Sequence, residues 1–141
     1  MTQLITPAQP PSRAAARVAA PLPHDRQEAS GKSRSVAVVI PMPNDPPWDL
    51  FDQIPDDVAI IVSDDSNGNL MPPPRDNVYV YDYAAQESYA GPHYAAMPHR
   101  SAASRNVGHY IAYHEGFDVI IALDYDCGTR EGWLESHLGA I

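Results

Sequence analysis

From Val36 onward the chain alternates short apolar runs with stretches rich in polar residues and proline. The runs Val36 to Ile40, Val58 to Val62, Val78 to Tyr81 and Val119 to Leu123 are continuous, as strands buried on both faces of a parallel sheet are. Between the first two, Trp48, Leu50, Phe51 and Ile54 predict one or two helical turns, stopped by Pro55. Between the last two, Ala103, Val107, Tyr110, Ile111 and His114 share a helical spacing and predict a helix from about Ser101 to Glu115. Pro98 precedes that helix, and Gly116 stands where a left-handed cap is expected. A last helix is expected over Glu131 to Leu138. The stretch holding Tyr81, Tyr83, Tyr89 and Tyr94 reads as a loop whose rings pack over the sheet or stack on a ligand. The alternation predicts an α/β fold, a mostly parallel sheet flanked by helices, with no internal repeat.

Residues 1–34 break this pattern. They hold five basic residues against two acids, a net of +3, with prolines at 7, 10, 11, 21 and 23 and no sustained apolar period. Such a segment buries too little apolar surface to offset its ordering entropy and is expected to be a disordered tail. Asp25, Glu28 and the proline spacing count against an organelle transit peptide. Residues 35–141, with four arginines against sixteen acids, are expected to form one folded unit.

The chain of 141 residues is 44% hydrophobic, enough for one core, and its formal net charge of −9 repels phosphate backbones and anionic lipid. Nucleic acid and membrane surfaces are therefore not expected partners. No apolar stretch approaches the roughly 20 residues a membrane-spanning helix needs, and no secretory signal is evident. The single cysteine, Cys127, excludes an internal disulfide and any zinc site built on paired cysteines. A cytoplasmic setting is the expectation.

Ligands of open parallel sheets bind beyond the carboxyl ends of the strands. In this chain the first strand leads into Pro41-Met42-Pro43-Asn44-Asp45, the second into Asp64-Asp65-Ser66-Asn67-Gly68, and the last into Asp124-Tyr125-Asp126-Cys127. Acids collected on one rim without basic neighbours are tolerable when a divalent cation or ligand hydroxyls fill the gap. Asp64 and Asp65 have an equal claim as turn and capping residues. Asp124 and Asp126, directly after a buried strand, read as poor turn chemistry and good cation chemistry.

Two arrangements with aspartates on strand ends do not fit. A phosphorylated receiver domain needs a late lysine, and Lys32 is the only lysine; an aspartyl phosphatase needs its Asp-x-Asp-x-Thr near the N-terminus with further acids and a lysine behind it. The chain does resemble the GT-A fold of nucleotide-sugar glycosyltransferases over Ser35 to Ile141. Val36-Ala37-Val38-Val39-Ile40-Pro41 looks like that fold's opening strand, and Ile60 to Ser66 resembles its Val-Asp-Asp-Gly-Ser segment. Arg100 to Gly108 is similar to its Ala-Arg-Asn-x-Gly helix, and Gly116 to Asp126 to the strand that delivers its Asp-x-Asp motif. The broad inverting family 2 is the nearest general match. Asp124-Tyr125-Asp126-Cys127 and Arg105 also resemble the Asp-Asp-Asp-Cys segment and helix arginine of the reversibly glycosylated polypeptides, which are UDP-arabinopyranose mutases.

The resemblance implies the N-terminal, nucleotide-binding half of a Rossmann-like GT-A domain. It implies that Asp65, supported by Asp64, accepts hydrogen bonds from a uracil ring and that Arg100 contacts the nucleotide. Asp126 would coordinate Mn²⁺ or Mg²⁺ bridging the diphosphate, with Asp124 on the ribose or a metal-bound water. Arg105 orders the site in a transferase and accepts sugar in a mutase. His93, His99, His109, His114 and His137 show no metal-ligand spacing and default to structure, and Cys127 is assigned no role. Only fifteen residues follow Asp126, whereas the fold ordinarily continues into an acceptor-binding half. The expectations are accordingly a metal-dependent transfer of sugar from a UDP-sugar to an unknown acceptor, by a truncated product or with a second chain or oligomer supplying that half. The alternatives are a mutase-like self-glycosylating protein and a non-catalytic nucleotide-sugar-binding or interaction domain.

Overall fold

The computed structural model describes residues 34–141; apart from Arg34, the expected tail lies outside the described residues. Four strands, β1 (Val36–Met42), β2 (Ala59–Asp64), β3 (Val78–Tyr81) and β4 (Val119–Ala122), form one sheet in the order β3-β2-β1-β4. Every pairing is parallel, with Val38 facing Ile60 on one side and Ile121 on the other. The helices are α1 (Tyr83–Ala90), α2 (Ser104–His114) and α3 (Trp133–Leu138), and two short 3-10 turns cover Trp48–Phe51 and Gly91–Ala96. Among the described residues no helix is long and apolar enough to cross a membrane.

β1 runs through the centre, so its side chains supply both layers of the core. Val36, Val38, Ile40 and Met42 pack with Phe51, Ile54 and Trp133 on one face; Ala37 and Val39 pack with Val107, Ile111 and Ala112 on the other. That division explains why the run is apolar without alternation. The second face is built from smaller groups because α2 lies close to it. A Cβ added to Gly108 would sit 2.3 Å from Val39 Cγ1 and 3.0 Å from Ser63 Oγ, closer than packed carbon atoms approach.

The strand runs fall where the apolar pattern placed them, while the helices show two corrections. The buried face of α2 is Ser104, Val107, Gly108, Ile111 and Ala112, which keeps Val107 and Ile111 of the expected stripe but not Ala103, Tyr110 and His114. The close approach selects small residues, and the Tyr110 and His114 rings sit 4.2 Å apart on the flank. The stretch expected to be a loop contains α1, which no apolar stripe announces. Its start is fixed instead by Asp82, whose carboxylate accepts from the Ala85 N–H, and by fully buried Gln86, whose amide donates to the carbonyls of Tyr81 and Asp64. Gly116 does cap α2 at φ +76°, and Phe117 N–H reaches back to the Ala112 carbonyl.

Two polar ties join distant parts of the chain. At the amino ends of β1 and β4, the Ser35 N–H and hydroxyl donate to the Asp118 carboxylate, and the Asp118 N–H donates to the Ser35 hydroxyl. On the α2 face, the Tyr89 hydroxyl of α1 donates to Glu115 at the end of α2.

Gly108→Ala is expected to destabilise the protein by about 1–2 kcal/mol in urea denaturation: overpacking costs roughly 1–3 kcal/mol, partly offset by the higher helix propensity of alanine. The added Val39→Ala change should recover part of that loss by making room for the methyl. The tyrosines supply a second test. Burial, then Glu115, pushes the Tyr81 hydroxyl up to about 12, and burial, then the Glu115 hydrogen bond, drives Tyr89 upward as well. A raised folded-state value contributes stability that is complete below about pH 10, the ordinary tyrosine range, and is lost as pH climbs through the folded value. Denaturation midpoints should therefore fall between pH 10 and 12, and less steeply in Tyr89→Phe.

Candidate functional site

The order β3-β2-β1-β4 means that the chain steps outward from β1 through β2 to β3, then returns to the far side of β1. The reversal lies between β1 and β4, and crevices for ligands form beyond the carboxyl ends of strands at such points. A cleft of about 570 Å³ lies there, walled by Pro41 and Pro43 at the end of β1, Asp65 after β2, Arg100 to Ala102 before α2, Ser104 and Arg105 on α2, and Asp124 and Tyr125 after β4. A smaller hollow of about 410 Å³ at the opposite end is lined by Val36, Val58, Leu134 and Leu138, with Arg34 and Asp57.

The two neighbouring aspartates after β2 do different work. Asp64 spends both carboxylate oxygens on its own loop, accepting from the Ser66 N–H and hydroxyl and from the Gly68 N–H. It thus takes the turn role open to it in the sequence, stabilising the segment that presents its neighbour. Asp65 is only 3% exposed, and its Oδ2 accepts from the Arg100 N–H at 3.1 Å. Its Oδ1 is buried and has no hydrogen-bond partner among the described residues. A buried carboxylate oxygen left unpaired costs free energy unless something supplies a donor, so such atoms concentrate where a ligand or water belongs.

Arg100 reaches this position through a left-handed backbone, φ +51°, uncommon for a side chain of its size. Its side chain is exposed on the cleft wall, and among the described residues no carboxylate forms an ion pair with it. Arg105, on the first turn of α2, pairs with Asp124 and so ties the helix to the end of β4. Both partners are partly exposed, 35% and 54%, which keeps the pair's net contribution within about 1 kcal/mol. Its main consequence is geometric, since it fixes two side chains on the rim.

The Asp124-Tyr125-Asp126-Cys127 segment corrects the expectation that it is poor turn chemistry. It folds as a tight turn, with the Cys127 N–H on the Asp124 carbonyl at 3.0 Å. Tyr125 packs against the core while Asp126 is exposed, near the Cys127 thiol and outside the cleft lining. Local desolvation and the Asp126 carboxylate push that thiol upward, which keeps it protonated and a weak nucleophile. Among the described residues no three His, Cys, Asp or Glu side chains gather as a metal site. A cation carried in on a diphosphate needs fewer, since Mg²⁺ keeps several waters and takes one or two carboxylates beside the phosphate oxygens. The exposed Asp126 carboxylate fits that demand, and Asp124, whose Oδ1 is held by Arg105, has its Oδ2 to offer.

One residue with a structural default proves to stand at the site. His99 Nδ1 lies 3.6 Å from Asp65 Oδ1, its ring stacks on Tyr83 at 3.5 Å, and its Nε2 is 2.7 Å from the Tyr94 hydroxyl. Adjacency to Arg100 is the only sequence signal that could have singled it out. The cleft thus brings together Asp65, Arg100, Arg105 and Asp124, and leaves Asp64 in its loop and Asp126 on the neighbouring turn. Comparison with protein-family models, curated proteins and solved structures returns no match to this chain.

Arg100→Gly is expected to raise stability by about 1 kcal/mol in urea denaturation, because glycine adopts a positive φ without the cost an L side chain bears there.

Proposed function

We propose that the cleft binds a nucleoside diphosphate sugar and that the chain is the donor-binding half of a metal-dependent, GT-A-type glycosyltransferase. The observation that carries this reading is the company kept by Asp65: a buried carboxylate with an unpartnered oxygen, in a cleft that also holds two of the four arginines found between residues 35 and 141. A strongly acidic fold that concentrates its few cations on one crevice is suited to an anionic ligand.

In this reading Asp65 Oδ1 accepts the ring N–H of uracil, which offers a donor to a carboxylate. Arg100 faces the diphosphate, and its planar guanidinium suits two phosphate oxygens at once. Arg105, held by Asp124, keeps positive charge on the same wall. Asp126, with Asp124, would hold Mn²⁺ or Mg²⁺ against the phosphates; the cation supplies charge neutralisation as the leaving nucleoside diphosphate departs. Pro41, Pro43 and Tyr125 give the crevice a stiff, partly apolar wall. The acceptor is a separate requirement.

Calorimetric titration with UDP and UDP-sugars, with and without Mn²⁺, tests the reading. Wild type should bind, Asp65→Ala should weaken binding ten-fold or more through loss of a charge-assisted hydrogen bond of about 1.5–3 kcal/mol, and Asp126→Ala should lose the Mn²⁺-dependent increment. No binding by wild type, or equal binding by Asp65→Ala, overturns it. Because Arg105 lines the cleft, the mutase-like reading has its own readout: covalent sugar on the protein, seen as added intact mass after incubation with a UDP-sugar and absent in Arg105→Ala. Binding with neither transfer, hydrolysis nor added mass would leave a nucleotide-sugar-binding domain.

A further inference from the structure

Beside the Asp65 oxygen that lacks a hydrogen bond stands His99. His99 is clamped from two sides, its face on Tyr83 and its nitrogen-bearing edge on the Tyr94 hydroxyl, 2.7 Å from Nε2 and 3.4 Å from Nδ1, while Nδ1 also lies 3.6 Å from Asp65 Oδ1. At 3.6 Å the two atoms are too far apart for a hydrogen bond and close enough for a charge pair. Tyr83 anchors the same loop a second time by donating its hydroxyl to the Asp65 carbonyl at 2.9 Å. The Tyr94 hydroxyl stands 3.4 Å from the Tyr83 carbonyl, which gives it a second acceptor for its proton.

We propose that His99 is a positioning residue for Asp65 and that the charge on its ring decides whether the Asp65 carboxylate is open to a ligand. In the neutral ring, Nε2 accepts from the Tyr94 hydroxyl and the Nδ1–H faces Asp65 without closing on it, leaving Oδ1 ready for a donor N–H. When the ring gains a proton, Nε2–H donates to the Tyr94 oxygen, the Tyr94 proton turns to the Tyr83 carbonyl, and the cationic Nδ1–H draws Oδ1 into an ion pair. The acceptor that the ligand needs is then occupied. No proton leaves the cluster except the one His99 takes from or returns to solvent, with which its one-third-exposed side chain is in contact.

The other groups facing His99 do not replace it in this role. Asp65 is the acid on its Nδ1 edge, Tyr83 and Tyr94 are the hydroxyl groups packed on it, and Asp82 and Glu87 act on the cluster through Tyr94. Burial, with Glu87 and Tyr83 next, raises the Tyr94 hydroxyl, so it stays a neutral donor. Arg100 is the adjoining basic residue.

The inference rests on the proposed nucleotide reading of the cleft, and two measurements keep them separable. UDP affinity of wild type should fall at least ten-fold between pH 8 and pH 5.5; the curve for His99→Gln, whose amide cannot become a cation, should be flatter by most of that factor. Phosphate protonation on UDP is common to both proteins and cancels in the comparison. Parallel curves overturn the gating. The ligand-free measurement is the ring ¹⁵N spectrum of His99, expected to show the Nδ1–H tautomer in the neutral form, since the partner of one ring nitrogen sets the proton on the other. An Nε2–H tautomer overturns the positioning even if UDP binds, whereas a failure of UDP to bind at pH 8 beside the expected tautomer removes the nucleotide reading and the gating of that ligand, and upholds the His99–Asp65 arrangement.

Discussion

The depth to which α2 settles on the sheet governs the rest of the molecule. With hydrogen in place of a side chain at Gly108, the helix backbone rests directly on Val39 and beside Ser63, at the centre of the most buried strand pair. One turn earlier, the same helix carries Ser104 and Arg105 to the crevice between β1 and β4, where Arg105 can take hold of Asp124. A helix held off by even one methyl group would carry that arginine away from its partner. The packing contact and the rim geometry are thus two ends of one rigid lever, stiffened because protein interiors deform little.

The strands were legible because burial on both faces leaves an unmistakable apolar run, although β1 and β2 each extend past theirs, through Pro41-Met42 and Ser63-Asp64. Val36 to Ile40 and Val119 to Leu123 needed no other information, and the all-parallel pairing agrees with them. Helices were legible only in part. Gly116 announced the end of α2 by its φ, but Tyr110 and His114 imitated a buried stripe that belongs to Ser104, Gly108 and Ala112, which are too small to register as hydrophobic. α1 is held by polar groups, Asp82 at its cap and Gln86 beneath it, and a reading tuned to apolar spacing passes over both.

At the rim, residue type and strand position pointed to Asp65 and Asp124, and motif resemblance added Arg100 and Arg105, yet none of these signals could divide labour within a pair of identical neighbours. Asp64 and Asp65 are chemically the same in the sequence. They part company because only one of them lies within reach of the Ser66 and Gly68 amides. Likewise, Asp126 sits two residues from Asp124 but on the outer side of a turn whose closure depends on a backbone hydrogen bond, a detail that spacing alone does not carry. His99 was hidden for the opposite reason: two of its contacts, from the loop after β2 and from α1, are distant from it in the chain, and only the 3-10 turn is near.

The clasp between Ser35 and Asp118 has a practical bearing. It joins the amino ends of β1 and β4, while the crevice opens at their carboxyl ends, so the polypeptide enters the fold on the side remote from the rim. A surface tether, affinity handle or fused carrier attached ahead of Ser35 would therefore be anchored at the back of the sheet, with the crevice turned toward bulk solvent.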